Sequence, residues 1–284
     1  MTREPPETDD TWTVAARRVD GPLGELVTGL VAVHADLRRP RSMLAVPTGA
    51  TVVHVHFGGD ARHPSDVGTS LLSGIRGEPA RRDVAGPFVG VFALLTPLGA
   101  LELTCGQAMQ GQADCIGLDA VIGGQGSRGL SQAAQADAGL HESLDRVGRW
   151  LESWLLRRRA MPPAALRTAR ACAELMRDGC GSIESVATNY AITRRQLERD
   201  MRRWMNTTPK GFSHAVRLQH ACRLAGRGHK LSEVAAGAGY ADQAHMTREF
   251  RRLTQMTPGE FTRLPPTPLS IAFGRADAGG RPYA

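Results

Sequence analysis

Apolar and polar residues follow two different periods along the 284-residue chain, and the change between them divides it. From Val27 to Leu95 the pattern favours strands. In TVVHVHF, residues 51–57, Val53, Val55 and Phe57 share one face while Val52, His54 and His56 share the other, the period of two of a sheet. LVAVHADL at residues 30–37 and FVGVFALL at residues 88–95 are short apolar runs bounded by Gly and Pro. Regularly spaced turn residues between such runs predict a small β-barrel or sandwich. Residues 98–140, rich in Gly, Gln and Ala, show no clear period. A helix is then predicted from Gly139 to Arg159, with Leu140, Leu144, Val147, Leu151, Trp154 and Leu155 on one stripe. Periodicity alone fits that stripe equally to packing on its own domain and to a seam between two copies. The prolines of RRRAMPP at residues 157–163 close the segment.

Beyond those prolines the period is helical, and the pattern repeats. SVATNYAITRRQLERDMRRWMNTTPKGF, from Ser185, aligns with EVAAGAGYADQAHMTREFRRLTQMTPGEF, from Glu233. Val186-Ala187 matches Val234-Ala235. After one extra residue in the second turn, Leu197 matches Met246, Met201 matches Phe250, Arg202-Arg203 matches Arg251-Arg252, Pro209 matches Pro258 and Phe212 matches Phe261. Each copy reads as a short helix, a tight turn and a second helix. Ser182 and Thr193 are the expected caps in the first copy, Ser232 and Asp242 in the second, with Gly239 supplying its turn. Leu197, Met201 and Trp204 recur at helical spacing and face the core, which turns Arg194, Arg195, Glu198, Arg199 and Arg202 to solvent. Between the copies Pro209 starts a long helix that runs to about Arg227.

Charge sharpens this division. Residues 164–264 hold 17 Lys or Arg against 9 Asp or Glu, a balance of +8, while the remainder holds 18 against 19. All the excess positive charge therefore lies on the duplicated segment, the footprint of a module that binds a polyanion. Five cysteines with no CxxC pair read as reduced thiols and not as a disulfide framework or a zinc site. No apolar run is long enough for a membrane span, and the first residues lack the pattern of a secretory signal, so a cytoplasmic location is expected.

The major groove of DNA admits one α-helix, and it faces the same side of the duplex again after roughly 34 Å. Two rigidly linked helix-turn-helix units can therefore read adjacent turns of double-stranded DNA from a single chain. The competing reading, a helical bundle with solvated arginines, leaves the duplication and the localised charge unexplained.

GYADQAHMTREFRRLTQMTPGEF resembles the signature of the AraC/XylS family of bacterial transcription regulators, and the resemblance spans about residues 166–264. The first unit matches more loosely, with Ala191 where the family usually has Gly and Tyr190 where an aliphatic residue is common. The resemblance implies recognition helices at about residues 193–204 and 242–253. On the first, Arg195, Glu198 and Arg199, with Arg194 nearby, hold positions that reach base edges; on the second, Gln243, Ala244, Thr247 and Arg248 do. Arginine pairs bidentately with guanine, whereas Glu198 either accepts from cytosine or orients a neighbouring arginine. Asp242 and His245 read as a cap and an inward packing residue. Arg202, Arg203, Arg251 and Arg252 are expected on phosphates.

More faintly, PTGATVVHVHFGGD, LLSGIRGEP and GPFVGVFALLTPLGA resemble the cupin-like sensor domains attached to such readers. The implied fold class is α+β: an N-terminal cupin-like small β-barrel with helices, then an all-α domain. The implied organisation is a disordered tail (1–12), a sensor and dimerisation domain (13–160), a linker (161–165), the DNA-binding domain (166–264) and a second disordered tail (265–284). A small-molecule effector in the barrel, a homodimer and contact with RNA polymerase belong to the same implication, with no cofactor and no enzymatic activity. A ligand-independent or partner-controlled regulator shares the same reader. A metal-dependent cupin enzyme fused to a reader would use His54, His56 and Asp60, but no convincing later-strand histidine completes such a set; His63 sits in a loop and His34 on an earlier strand. A repair methyltransferase would need a Pro-Cys-His nucleophile, which is missing. Cys105 and Cys115 lie in a Gly/Gln/Asp setting that offers no thiolate stabilisation for oxidant sensing.

Overall fold

The computed structural model describes residues 10–57, 70–75, 77–84, 87–107, 115–135, 139–157, 160–177, 182–264, 267 and 270–272. The strands are β1 (Thr11–Arg18), β2 (Val27–Asp36), β3 (Arg41–Ala45), β4 (Thr51–Phe57), β5 (Ser70–Ser73), β6 (Ala80–Val84), β7 (Phe88–Leu95) and β8 (Cys115–Gly117). Helices α1 (Gly21–Gly24) and α2 (Pro97–Leu103) fall among them, and α3 (Asp119–Ala134) and α4 (Leu140–Leu155) follow. The rest is helical: α5 (Pro163–Arg177), α6 (Ile183–Asn189), α7 (Arg194–Met205), α8 (Pro209–Gly226), α9 (Leu231–Gly237), α10 (Gln243–Thr254) and α11 (Pro258–Arg263). This is the expected α+β division, sheet first and helices second. The linker expected at residues 161–165 falls where α5 begins, its first turn opened by Pro163.

The strands predicted from periodicity at residues 51–57 and 88–95 are present with those bounds. Six strands pair antiparallel in the order β1-β2-β7-β4-β5-β8, and β3 pairs with β6 in a second sheet. Among the described residues, strand pairing does not join the two sheets into a closed ring. Alternation gives the larger sheet two apolar faces. Leu30, Ala32, Val53, Val55, Val91 and Ala93 face outward beneath α3 and α4. Val31, Val33, Val52, Phe92 and Leu94 face inward, where Met43 of β3 closes over them. Strand β1 starts at Thr11, inside the tail expected to be disordered, because Trp12 and Val14 pack against this inner face.

The stripe on α4 belongs to its own domain: Leu144, Val147, Leu151 and Leu155 are buried in the outer-face core, with Leu140 and Trp154 packed beside them. Each such leucine contributes about 1.5–3 kcal/mol by leaving water, and none of the four is left for a seam between copies. Residues 98–140, without a readable period, form α2, β8 and α3; α3 is kinked at Gly123, which breaks its repeat.

Sheet and helices meet along two seams. On one, Ile75 and Leu101 enter the core of Ala165, Ala169, Leu197, Met201 and Phe212. On the other, Leu44 and Val46 enter the core of Val234, Met246, Phe250 and Phe261. Between the seams the Gln219 amide on α8 donates to the Pro47 carbonyl at 2.8 Å, away from solvent. Gly49 comes so near α8 that a Cβ there would lie 3.0 Å from Val216.

Candidate nucleic-acid interface

Local chemistry builds both units on one plan. In the first, the Ser182 hydroxyl accepts from the Ser185 N–H at 3.4 Å and the Thr193 hydroxyl from the Gln196 N–H at 3.1 Å, capping α6 and α7. In the second, the Asp242 carboxylate accepts from the His245 N–H at 2.6 Å and caps α10. The expected Ser232 cap is absent. Helix α9 begins two residues earlier, with Lys230 at its cap position, and the Glu233 carboxylate accepts from the Lys230 N–H at 3.1 Å, which satisfies that end instead.

The turns also correspond. The Ile192 N–H donates to the Ala187 carbonyl at 3.0 Å, and the Tyr240 N–H to the Ala235 carbonyl at 2.9 Å. Both closures need a left-handed residue in the middle. Gly239 takes φ 75° without strain, whereas Ala191 is held at φ 52°, where its Cβ crowds the backbone. Each second helix then ends on another left-handed residue, Asn206 at φ 51° and Gln255 at φ 60°. Thr208 and Thr257 cap the next helices by accepting from Gly211 and Glu260.

Helix α7 buries Leu197, Asp200, Met201, Trp204 and Met205 and exposes Arg194, Arg195, Arg199, Arg202 and Arg203, with Glu198 half-buried beside them. Helix α10 buries Met246, Phe250, Leu253 and Thr254 and exposes Gln243, Ala244, Arg248, Arg251 and Arg252, with Thr247 half-buried. The predicted base-contact and phosphate-contact residues thus lie together on the outer faces of these two helices. They are not equally available. Arg194 is tied to Glu184 at 2.6 Å and to Glu198 at 3.4 Å. The Glu184 carboxyl is held below the ordinary value by its own backbone N–H, the Ser182 hydroxyl and Arg194. Arg199 donates to Gln196, and Arg203 lies 4.8 Å over the Trp204 ring. Among the described residues, Arg195, Arg202 and Arg248 have no hydrogen-bond or ion-pair partner.

Behind these faces lie two acids that the sequence reading passed over. Asp200 is buried, paired with Arg167 of α5 at 2.7 Å and bonded to Gln196 at 2.6 Å. At the equivalent place Glu249 approaches His214 of α8 at 3.1 Å. The same His214 Nδ1 lies 2.8 Å from Arg252 Nη2. One nitrogen cannot accept from Arg252 and donate to Glu249 together. Burial lowers the His214 pKa, Glu249 opposes that in part, and Arg217, Arg252 and Lys210 reinforce it. The neutral ring therefore accepts from Arg252, an arginine expected on phosphate. The repeat contains the signal for both acids, since Asp200 aligns with Glu249 once the extra turn residue is allowed for. His245 packs inward as expected, edge-on to Tyr240 at 5.6 Å.

Residues 186–264 match the model of a helix-turn-helix domain family. The chain carries an AraC-type helix-turn-helix domain. Solved structures resemble it distantly. An AraC-type transcriptional regulator from Chromobacterium violaceum is 21% identical over 36% of this chain and 94% of its own, with a TM-score of 0.32. The C-terminal domain of AraT, a response regulator from Geobacillus stearothermophilus, is 18% identical over 36% and 88%, with a TM-score of 0.34. ToxT from Vibrio cholerae O395 is 8% identical over 90% and 98%, with a TM-score of 0.43. No curated protein matches the chain. The assignment of the AraC-type domain rests on the family match and the duplicated geometry.

In the N-terminal sheet His54 and His56 stack at 5.7 Å and lie against Phe92 and Phe88. Asp60 and His63, invoked for a metal reading, lie outside the described residues. The Cys115 sulfur accepts from the Ser73 hydroxyl at 3.5 Å. Burial pushes the Cys172 thiol up to about 12, which leaves it inert. No helix among the described residues is long and apolar enough to cross a membrane.

Proposed function

We propose that the chain is a sequence-specific reader of double-stranded DNA that places α7 and α10 in two adjacent major-groove segments and is controlled through its N-terminal sheet. The observation that carries this reading is the identical framing of the two helices, each with an arginine at the same outward position, Arg199 and Arg248. Arg195, Arg199, Gln243, Ala244, Thr247 and Arg248 read bases. Glu198, bonded to Arg194, orients that arginine and does not itself meet cytosine. Arg202, Arg203 and Arg251 meet phosphates, and Arg252 joins them when His214 releases it. The sensor division at residues 13–160 and the reader at residues 166–264 are part of the proposal.

Control is supported by β3. Met43 points into the inner face of the sheet while Leu44, its neighbour, packs in the core of the second unit. A molecule bound at that inner face would touch the strand that supports α10 from behind. Titration of a selected site with salt tests the reader. Affinity is expected to fall by roughly a thousandfold or more between 50 and 200 mM salt if six or more phosphates are contacted. A flat salt dependence would remove the phosphate-dominated interface.

A further inference from the structure

The segment after α11 reads from its sequence as a disordered tail, yet four of its residues are described and they are not free. Ala272 is fully buried among Val31, Val33, Met43, Val52, Phe92 and Leu94, and Ser270 is buried beside it. The Thr267 hydroxyl accepts from the Ser270 N–H at 3.1 Å, and the Ile271 N–H donates to the Thr267 carbonyl at 3.0 Å. A single helical turn results. Its start repeats a device used twice before in this chain: Thr208 and Thr257 cap helices by the same threonine-to-third-residue bond, and Thr267 does so again.

We infer that the inner face of the N-terminal sheet is a docking site for the chain's own C-terminal segment, which seats Ser270 and Ala272 there and competes with any apolar molecule for the same surface. The location of the anchor supports this occupant. Arg263 ends α11, nine residues before Ala272, so the connecting chain reaches at most about 30 Å when extended. Tethered so closely, the segment faces the sheet at an effective concentration in the millimolar range, so even weak contacts keep it seated. Pattern agrees as well: the buried Ala272 is small enough to enter a filled apolar face, while its neighbour Ile271 points out and is exposed. The segment thereby links the end of the second helix-turn-helix unit to the sheet. An apolar ligand that displaces it frees that link.

A fluorescent synthetic peptide of residues 265–284 tests the site through anisotropy with four proteins: the intact chain, the chain ending at Leu264, and full-length Ala272→Arg and Ile271→Arg. The truncated chain and Ala272→Arg, whose own segment cannot seat, are expected to bind the peptide roughly tenfold or more tightly than the intact chain and Ile271→Arg. Ala272→Arg reports on the site independently of the deletion. Equal binding by all four proteins, or binding by neither the truncated chain nor Ala272→Arg, overturns the inference.

Discussion

Arg199 and Arg248 stand at one position in two copies of one design, and the surroundings of the two copies differ. Around Arg199 the first unit is dense in arginine and tied internally: Arg194 to Glu184 and Glu198, Arg199 to Gln196, Arg203 over Trp204. The second unit is sparser. Ala244 replaces an arginine, Thr247 replaces a glutamate, and Arg248 has no protein partner among the described residues. Support from behind differs too. The first unit hangs on the Arg167–Asp200 ion pair at 2.7 Å, whereas in the second Glu249 only approaches His214, whose imidazole accepts from Arg252. Duplication thus preserved the frame, the turns and the caps of the second helices, while the outward faces, the first-helix caps and the anchors diverged. Frame residues answer to backbone geometry, which both copies share. Outward residues answer to whatever each groove presents.

The largest effect is expected at the anchors. Removing the Asp200 carboxylate leaves the Arg167 charge half-buried and unpaired, so Asp200→Ala should cost about 3 kcal/mol of stability in denaturant melts. Glu249→Ala leaves an imidazole that is already neutral by preference, and its cost should be clearly smaller. Equal costs would show that the two anchors are interchangeable and erase the distinction.

The turns come next. Gly239→Ala places a Cβ in a left-handed conformation and should destabilise by about 1 kcal/mol, whereas Ala191→Gly relieves the same strain and should stabilise by up to about 1 kcal/mol. A loss in both variants would mean that Ala191 is held by contacts worth more than its strain.

Smallest is the response to acid. The sign follows from His214 binding its proton less readily folded than unfolded. As pH falls below the ordinary histidine value of about 6.5 towards the lowered folded value, the unfolded chain gains protons first and stability drops. His220 on the same helix is lowered by burial and by Arg223 and Arg227, and adds in the same direction. His214→Gln should flatten the drop that sets in below about pH 6.5. The first unit holds no histidine from Pro163 to Met205, so its own variants should leave the pH profile unchanged.

Much of this frame is legible in the residues. The period-two alternation of TVVHVHF placed β4, and the caps Ser182, Thr193 and Asp242 placed the helix starts, because both signals are local. The match of Val186, Leu197 and Phe212 to their later counterparts placed both units. What escaped is what depends on distant partners. Asp200 looks like one more solvated acid until α5 brings Arg167 to it across 33 residues. The tail looks featureless because Ala272 finds its neighbours 178 to 241 residues away, on strands β2, β3, β4 and β7. Ser232 failed as a cap because the helix starts two residues sooner, at an end that Glu233 satisfies through the Lys230 N–H.

The central claim is that α7 and α10 read separate groove segments, and guanine-methylation interference on one selected duplex tests it most directly. The account predicts two patches of interference about 10 base pairs apart. Arg199→Ala should erase one patch and Arg248→Ala the other, each at about 1–3 kcal/mol of specific binding with folding unchanged. A single patch, or two variants that weaken the same one, would contradict it.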